Sequence, residues 1–484
     1  MLAQTSYDLN GDTRRIVPLE LAEGHMLYVC ELDYSDDSSH IELLSTGPGQ
    51  ILTNSTSLQS VIPYTYVHHA TLLESGCVIA AEGVGSWPVL FKTGLDGQIQ
   101  WSGYFMNSTG QTALLRVFGE GEHFTVYTFH NSDYYYQNGI YRLTGNSAGT
   151  DFSGMLVATE DPYKFRAYDV VRADGFDVVG GSGNVSVEPL DQRAMMMVVG
   201  TNGAHWMKYY DMGSQGTVRT ESILDMDTIS EGHILCSGNA HGDFFDGRGF
   251  VMKVDSTGDV VWCTKFANSS ISLSVTGVVE LADGTILACA RAEWDVGFLL
   301  RLSGSGQLLS QKRYEPADGI PSVMDDFFRS DGDITLMTSN KLIGLDGDGN
   351  ACDFVDSESI VASTSIPVVS NVLFSNSIIE PEFLPLTWEE RVPQLEWTLD
   401  CSTTATLDKP QSMEPFAYWG PDGGSIQLVG TLQMTGVDRM VLYSIDGRRV
   451  RELTCCNNID MRSEPDGVYI LKLPEQKCIR IIKR

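Results

Sequence analysis

The sequence predicts an all-β fold of repeated four-stranded units, and three observations carry that prediction. A turn glycine recurs at Gly24, Gly76, Gly121, Gly175, Gly232, Gly284 and Gly332, with spacings of 52, 45, 54, 57, 52 and 48 residues. Each follows one apolar strand and opens onto a second: MLYVC, CVIAA, FTVYTF, FDVVGG, ILCSG, TILACA and ITLMT. A polar loop then leads to a third strand and a second glycine turn, such as Leu95-Asp96-Gly97 or Asp255-Ser256-Thr257-Gly258, from which a fourth strand departs. Short apolar runs bounded by Gly, Asp and Ser are strand and turn signals, since glycine reaches the φ > 0 conformations that tight turns require.

A lone unit of this kind leaves both sheet faces in water, whereas radial stacking buries them and shortens the open edges. Residues 1–380 are therefore expected to form a seven-bladed β-propeller, with six or eight blades as the alternatives the repeat leaves open. One place is irregular: residues 176–216 hold two candidate second strands, at 176–181 and 195–200, which implies an insertion or an extra half-blade. Residues 354–380 hold two further strands, read as ring-closing. Residues 381–412 are rich in Pro, Trp and Glu without a repeat, and form a linker or an extension packed on the propeller. Residues 413–484 make a separate C-terminal domain.

Charge narrows the function classes. The formal charge is −31, yet residues 436–484 hold ten Lys and Arg against seven Asp and Glu, so the remainder carries −34. A body this acidic repels phosphate backbones, which argues against nucleic acid. No run of eighteen apolar residues occurs, so no transmembrane helix is expected. Ten cysteines are too sparse for a disulfide scaffold. Cys30, Cys77, Cys236 and Cys289 sit inside apolar strands and read as small buried hydrophobes.

The tail reads as short strands: VDRMVLYS from Val437, the turn Asp446-Gly447, the turn Pro465-Asp466-Gly467 opening VYILKL, and CIRIIKR to the end. In order, spacing and terminal position, residues 418–484 resemble the C-terminal sorting domain of type IX secretion cargo. That resemblance implies a small β-sandwich-like sorting domain, with Asp446, Gly447, Gly467, Tyr469 and Lys483 at the family's characteristic positions. It also implies engagement of the secretion machinery, removal of the tail after export, and a body attached to lipopolysaccharide on the outer surface of a gram-negative bacterium. Trp419-Gly420-Pro421-Asp422-Gly423-Gly424 stands where the family usually opens with Pro-Asn-Pro. Such cargo needs a signal peptide, and Leu2-Ala3-Gln4 reads as the remnant of one near the mature terminus.

Catalytic and metal motifs are scarce. There is no His-Glu-x-x-His and no Gly-x-Ser-x-Gly. His68-His69 are adjacent in a predicted strand and so point to opposite faces, one core and one surface. Asp346-Gly347-Asp348-Gly349-Asn350 begins like a calcium loop but lacks the twelfth-position Glu, and no metal is expected. The Asp255–Trp262 and Asp96–Trp101 turns resemble repeats of secreted bacterial propellers and the tryptophan-docking repeats of quinoprotein dehydrogenases. Only two of seven units show the Trp, so no quinone, and no other cofactor, is expected.

The loops after the second strands have the most unusual composition. They hold Tyr34, Trp87, His130, Tyr134, Tyr135, Tyr136, His241, Asp243, Phe244, Phe245 and Trp294, and in a propeller all such loops open on one face. Such an aromatic and acidic ring suits a glycan or a protein partner; equally, the aromatics can fold back over neighbouring blades. The reading is a secreted or cell-surface binding module. The alternative is a secreted propeller hydrolase or lyase acting on glycans, for which the abundant carboxylates give no specific support.

Overall fold

The computed structural model describes backbone in stretches from Gln4 to Lys483 and side chains in stretches between Ile16 and Ser377. The chain divides into two compact units, Met1–Thr404 and Ala405–Arg484. Both are all-β among the described residues.

In the larger unit the strands form seven antiparallel four-stranded meanders, numbered I to VII here. Their innermost strands are Thr13–Glu20, Tyr66–Leu73, Gln111–Glu120, Phe165–Ala173, Arg219–Thr228, Leu273–Glu280 and Met324–Ser330. Meanders IV and V are joined by a two-residue parallel bridge, Asp191 to Arg219 and Gln192 to Thr220. The fourth strand of meander VII is Gln4–Asn10, from the chain's other end, paired Ser6 to Ile343 and Tyr7 to Leu342.

Each meander also receives a fifth, outer strand from one continuous stretch, residues 354–403. It visits the meanders in reverse order: Phe354–Asp356 on VI, Ile360–Thr364 on V, Val368–Asn371 on IV, Phe374–Ile379 on III, Glu382–Pro385 on II, Trp388–Arg391 on I and Glu396–Thr403 on VII. This corrects the expectation that residues 354–380 close a ring. They pair with outer edges, and the two ends of the repeat meet through Gln4–Asn10 instead. The irregularity expected at 176–216 also resolves: Phe176–Ser186, Asp191–Gly200 and Gly203–Asp211 are successive strands of meander IV. Its second glycine turn is at residues 200–203, where Gly200 pairs with Gly203, although Gly213 and Gly216 offer a competing turn further along the sequence.

Apolar cores lie between successive meanders. Phe91 and Val29 share a cluster joining I and II, Phe250 and Met196 one joining IV and V, and Leu300 and Phe266 one joining V and VI. The last cluster joins Leu342 of VII to Ile16, Tyr28 and Leu44 of I, so the chain of cores returns to its start. The core cysteines behave as read. Cys30, Cys77, Cys236 and Cys289, with Cys263, are buried and free, and burial pushes the Cys263 thiol up to about 12.

Tryptophan docking is wider than the sequence suggested. Trp101 donates to the Ser147 carbonyl at 2.8 Å and covers Gly149 of the next meander; Trp262 donates to the Gly304 carbonyl at 3.1 Å and covers Gly306. Trp206 covers Gly258 in the same way. It follows the turn of meander IV at residues 200–203. A Cβ on these glycines would lie 2.5–2.8 Å from the indole, so glycine is needed for the approach as well as for φ of +70 to +83°.

The smaller unit holds a three-stranded sheet (Phe416–Trp419, Ser425–Val429, Asn458–Asp460) and a four-stranded one (Arg439–Ser444, Arg449–Thr454, Gly467–Lys472, Cys478–Lys483). In the latter Gly467 pairs with Lys483 and Tyr469 with Ile481. Asp446 and Gly447 lie outside the described residues.

Candidate functional site

All seven innermost strands carry a register shift near the same end. The shifts fall between Thr13/Arg15, Val67/His69, Leu114/Arg116, Ala167/Asp169, Ile223/Asp225, Val275/Gly277 and Met324/Asp326. A β-bulge breaks the two-residue alternation and re-aims the side chains around it. The bulges re-aim the positions around them, and residues of all seven inner strands, among them His68, Arg116, Tyr168, Asp225, Thr276 and Asp326 at the bulges and Ile16 and Val17 beyond one, line a cavity of about 500 Å³.

The bulge explains the one outright misreading of side-chain direction. His68 and His69 both line the cavity, because the shift between Val67 and His69 interrupts the pleat that would send them to opposite faces. His68 Nε2 lies 3.2 Å from Glu82 Oε2.

Charged groups on successive meanders pin one another across the cavity wall. Arg116 of III donates to Asp169 of IV at 2.6 Å, and the other Asp169 oxygen accepts the Met226 backbone N–H of V at 2.9 Å. Asp225 of V accepts the Val278 N–H of VI at 2.8 Å, and Thr276 of VI donates to the Met324 carbonyl of VII at 2.8 Å. Each bond joins different meanders, so together they fix the inner strands relative to one another. Thr276 spends its hydroxyl proton on a carbonyl, which makes it a poor nucleophile.

Burial opposes the Arg116 charge, but Asp169, Asp326 and Asp225 outweigh it and hold the guanidinium above its ordinary value. Asp225 is pushed the other way. Burial first, then the carboxylates of Asp326 and Asp169, raise it well above the usual carboxylate range, against the pull of the Val278 N–H and Arg116. Tyr168, Phe327 and Phe328 supply aromatic wall. The cavity therefore has excess acid, one arginine already matched to one carboxylate, and aromatic faces. Among the described residues no group of three or more His, Cys, Asp or Glu is placed to hold a metal ion.

The sequence-predicted loops leave the sheets at the bulged end of the inner strands. Asn131 pairs with Gln111 and His241 with Thr220, each five residues before a bulge residue, Arg116 and Asp225. His241 is half-buried at the V–VI junction, its ring nitrogens 3.1 and 3.5 Å from the Ser272 and Ser274 hydroxyls. Trp87 and His130 lie on strands of known register, opposite Gly83 and Thr112, with their side chains outside the described residues. Tyr34, Tyr134, Tyr135, Tyr136, Asp243, Phe244, Phe245 and Trp294 also lie outside them. Sequence reasoning missed Arg116, Asp169, Asp225, Thr276 and Asp326. The available signal was a polar residue at the same offset in successive first strands, which a search centred on loops passes over.

No family model matches the chain, and no curated protein matches it. Among solved structures it is similar to BamB from Moraxella catarrhalis at 11% identity and a TM-score of 0.38, covering 71% of this chain and 97% of that one. It is also similar to a protein of unknown function from Bacteroides caccae at 12% identity and a TM-score of 0.33, covering 59% and 92%. Among the described residues no helix is long and apolar enough to cross a membrane.

Proposed function

We propose that the chain is a seven-bladed β-propeller exported through a C-terminal sorting domain, and that it acts at the cell surface as a binding module. The observation that carries the binding reading is the cavity at the bulged ends of the inner strands, where the charged groups of Arg116, Asp169, Asp225 and Asp326 and the rings of Tyr168, Phe327 and Phe328 stand beside apolar wall such as Ile16, Val17 and Leu224. The aromatic loops leave the meanders at that same end, so a larger ligand would meet loops first and cavity second. The blade reading draws on the seven meanders and their cyclic cores. The export reading draws on the tail's resemblance to sorting domains and on its division from the body as a separate unit.

Two measurements test the proposal. Surface proteolysis of intact cells should degrade the full chain, while a chain ending at residue 436 should fold and stay inside the envelope. Normal surface levels of the truncated chain would defeat the export reading. Glycan and peptide arrays probed with the purified full chain should give saturable capture. Hydrolysis or elimination of an array glycan would favour the enzyme alternative instead.

A further inference from the structure

We infer that a second pocket, between meanders III and IV at the end away from the aromatic loops, binds a small organic acid whose carboxylate pairs with the guanidinium of Arg142. The inference goes beyond the binding-module reading and uses a different part of the molecule.

The pocket has a volume of about 500 Å³, within the range of small-molecule sites. Its place follows from the strands. Gly119 and Glu120 end the inner strand of III, on the far side of Arg116 from the loops, and Gly175 and Gly200 stand at turns of IV. Two arginines line the pocket, and their partners differ. Arg172 is matched to Asp177, donating from Nε at 2.8 Å and from a terminal nitrogen at 3.3 Å, and its guanidinium lies 4.5 Å from the centre of the Phe118 ring. Asp177 takes a third bond, from the Tyr127 hydroxyl at 2.7 Å, so both its oxygens are engaged.

Arg142 has no such match. It stands opposite Tyr127 on the neighbouring strand and donates toward that phenol oxygen, a neutral group. Among the described residues no carboxylate pairs with it, and its Nε–H is buried without a hydrogen-bond partner. A half-buried guanidinium that meets only a phenol keeps N–H donors and a full charge for an anion. Its planar fork suits a carboxylate, which accepts two parallel bonds. The rim favours one negative charge over two, because Glu120 is exposed there and would repel a phosphate more strongly. Phe176 offers the body of the ligand an apolar face, and a Cβ on Gly175 would meet nothing within 4 Å, so the wall beside it leaves room.

Isothermal titration of the full chain with glucuronate and with benzoate tests the inference, with methyl glucoside and benzamide as their uncharged counterparts. One saturable site per chain is expected for at least one of the two acids, and none for its counterpart. Arg142→Gln removes the charge and should weaken binding roughly tenfold or more, the worth of a charged hydrogen bond. Arg142→Lys keeps the charge without the fork and should weaken it less. Thr201→Trp, at an exposed turn in the pocket wall, should block binding while leaving the bond between Tyr127 and Asp177 in place, so the test stands even if Arg142→Gln fails to fold. Arg313→Gln, at an exposed arginine beside Glu315, should leave affinity unchanged. Equal weakening by Arg142→Gln and Arg313→Gln, or binding indifferent to both Arg142→Gln and Thr201→Trp, would mean that acids meet no particular site, and the inference fails. It fails too if sulfate or phosphate binds with sensitivity to Arg142→Gln and neither acid does. Array capture by the full chain with no acid binding overturns the inference and leaves the module reading intact. Acid binding without array capture supports the inference and counts against the module reading.

Discussion

Replacing Gly306 by Ala should cost clearly more than replacing Gly284 by Ala, and the difference should vanish when Trp262 is removed. The two glycines have nearly the same backbone, φ +83° and +78°, so the intrinsic penalty for a side chain is about 1–2 kcal/mol at both. Their surroundings differ. A Cβ on Gly284 meets nothing within 4 Å, whereas one on Gly306 would sit 2.5 Å from the Trp262 ring. Relieving that clash needs about 1 Å of movement, which disturbs the indole's stacking and its bond to the Gly304 carbonyl, a further loss of about 1–2 kcal/mol. Gly284→Ala should therefore cost about 1–2 kcal/mol and Gly306→Ala about 2–4 kcal/mol by urea denaturation. In a Trp262→Ala background Gly306→Ala should fall to the Gly284→Ala value, a coupling of about 1–2 kcal/mol in a double-mutant cycle. Equal costs at the two glycines, or a coupling near zero, would refute the idea that tryptophans staple one meander to the next.

Further outcomes follow from the same physics. Because Asp225 has a folded pKa raised above its unfolded value, its contribution favours the fold below the ordinary carboxylate pKa of about 4 and is lost as pH rises through the raised value. Asp225→Asn should then flatten the fall in thermal midpoint above pH 4, and an unchanged pH profile would show that the carboxyl is not strained. Burial raises the thiols of Cys30, Cys77, Cys236 and Cys263, so peptide mapping after alkylation at pH 8 should find all four unmodified until denaturant is added. Replacing Tyr134, Tyr135 and Tyr136 together by Ser should abolish macromolecular capture with little change in thermal midpoint; a drop of many degrees would make them seals of a junction between meanders.

What the sequence made legible was local. The anchors Gly121, Gly175, Gly232 and Gly284 all adopt positive φ, because a tight turn imposes its requirement on one residue, and the strand after each is apolar for the same local reason. Buried cysteines were legible because their strands were. The bulges were not. Whether His68 and His69 share a face depends on how Val67 and His69 pair with Ala81 and Ala80 on the neighbouring strand, which no pattern within one strand records. The outer strands of 354–403 stayed hidden for a related reason. They follow no repeat of their own, and their partners lie up to about four hundred residues away, as for Cys401 and Ser6. Trp206 lay between the two cases: its turn chemistry was visible, but Gly213 and Gly216 offered a competing turn further on.

Everything built on the cavity depends on the two ends of the repeat meeting in meander VII. Cysteine pairs at Ser6/Ile343 and at Tyr7/Leu342 test that most directly. Neighbouring positions on an antiparallel ladder alternate between Cα separations of about 4.5 and 5.5 Å, both within reach of a disulfide. Under oxidising conditions at least one pair should cross-link, as identified by peptide mapping, and should raise the thermal midpoint by tying the first strand to the last meander. If neither pair forms, Gln4–Asn10 does not lie beside Lys341–Leu345, and the ring that gathers seven inner strands around one cavity is contradicted.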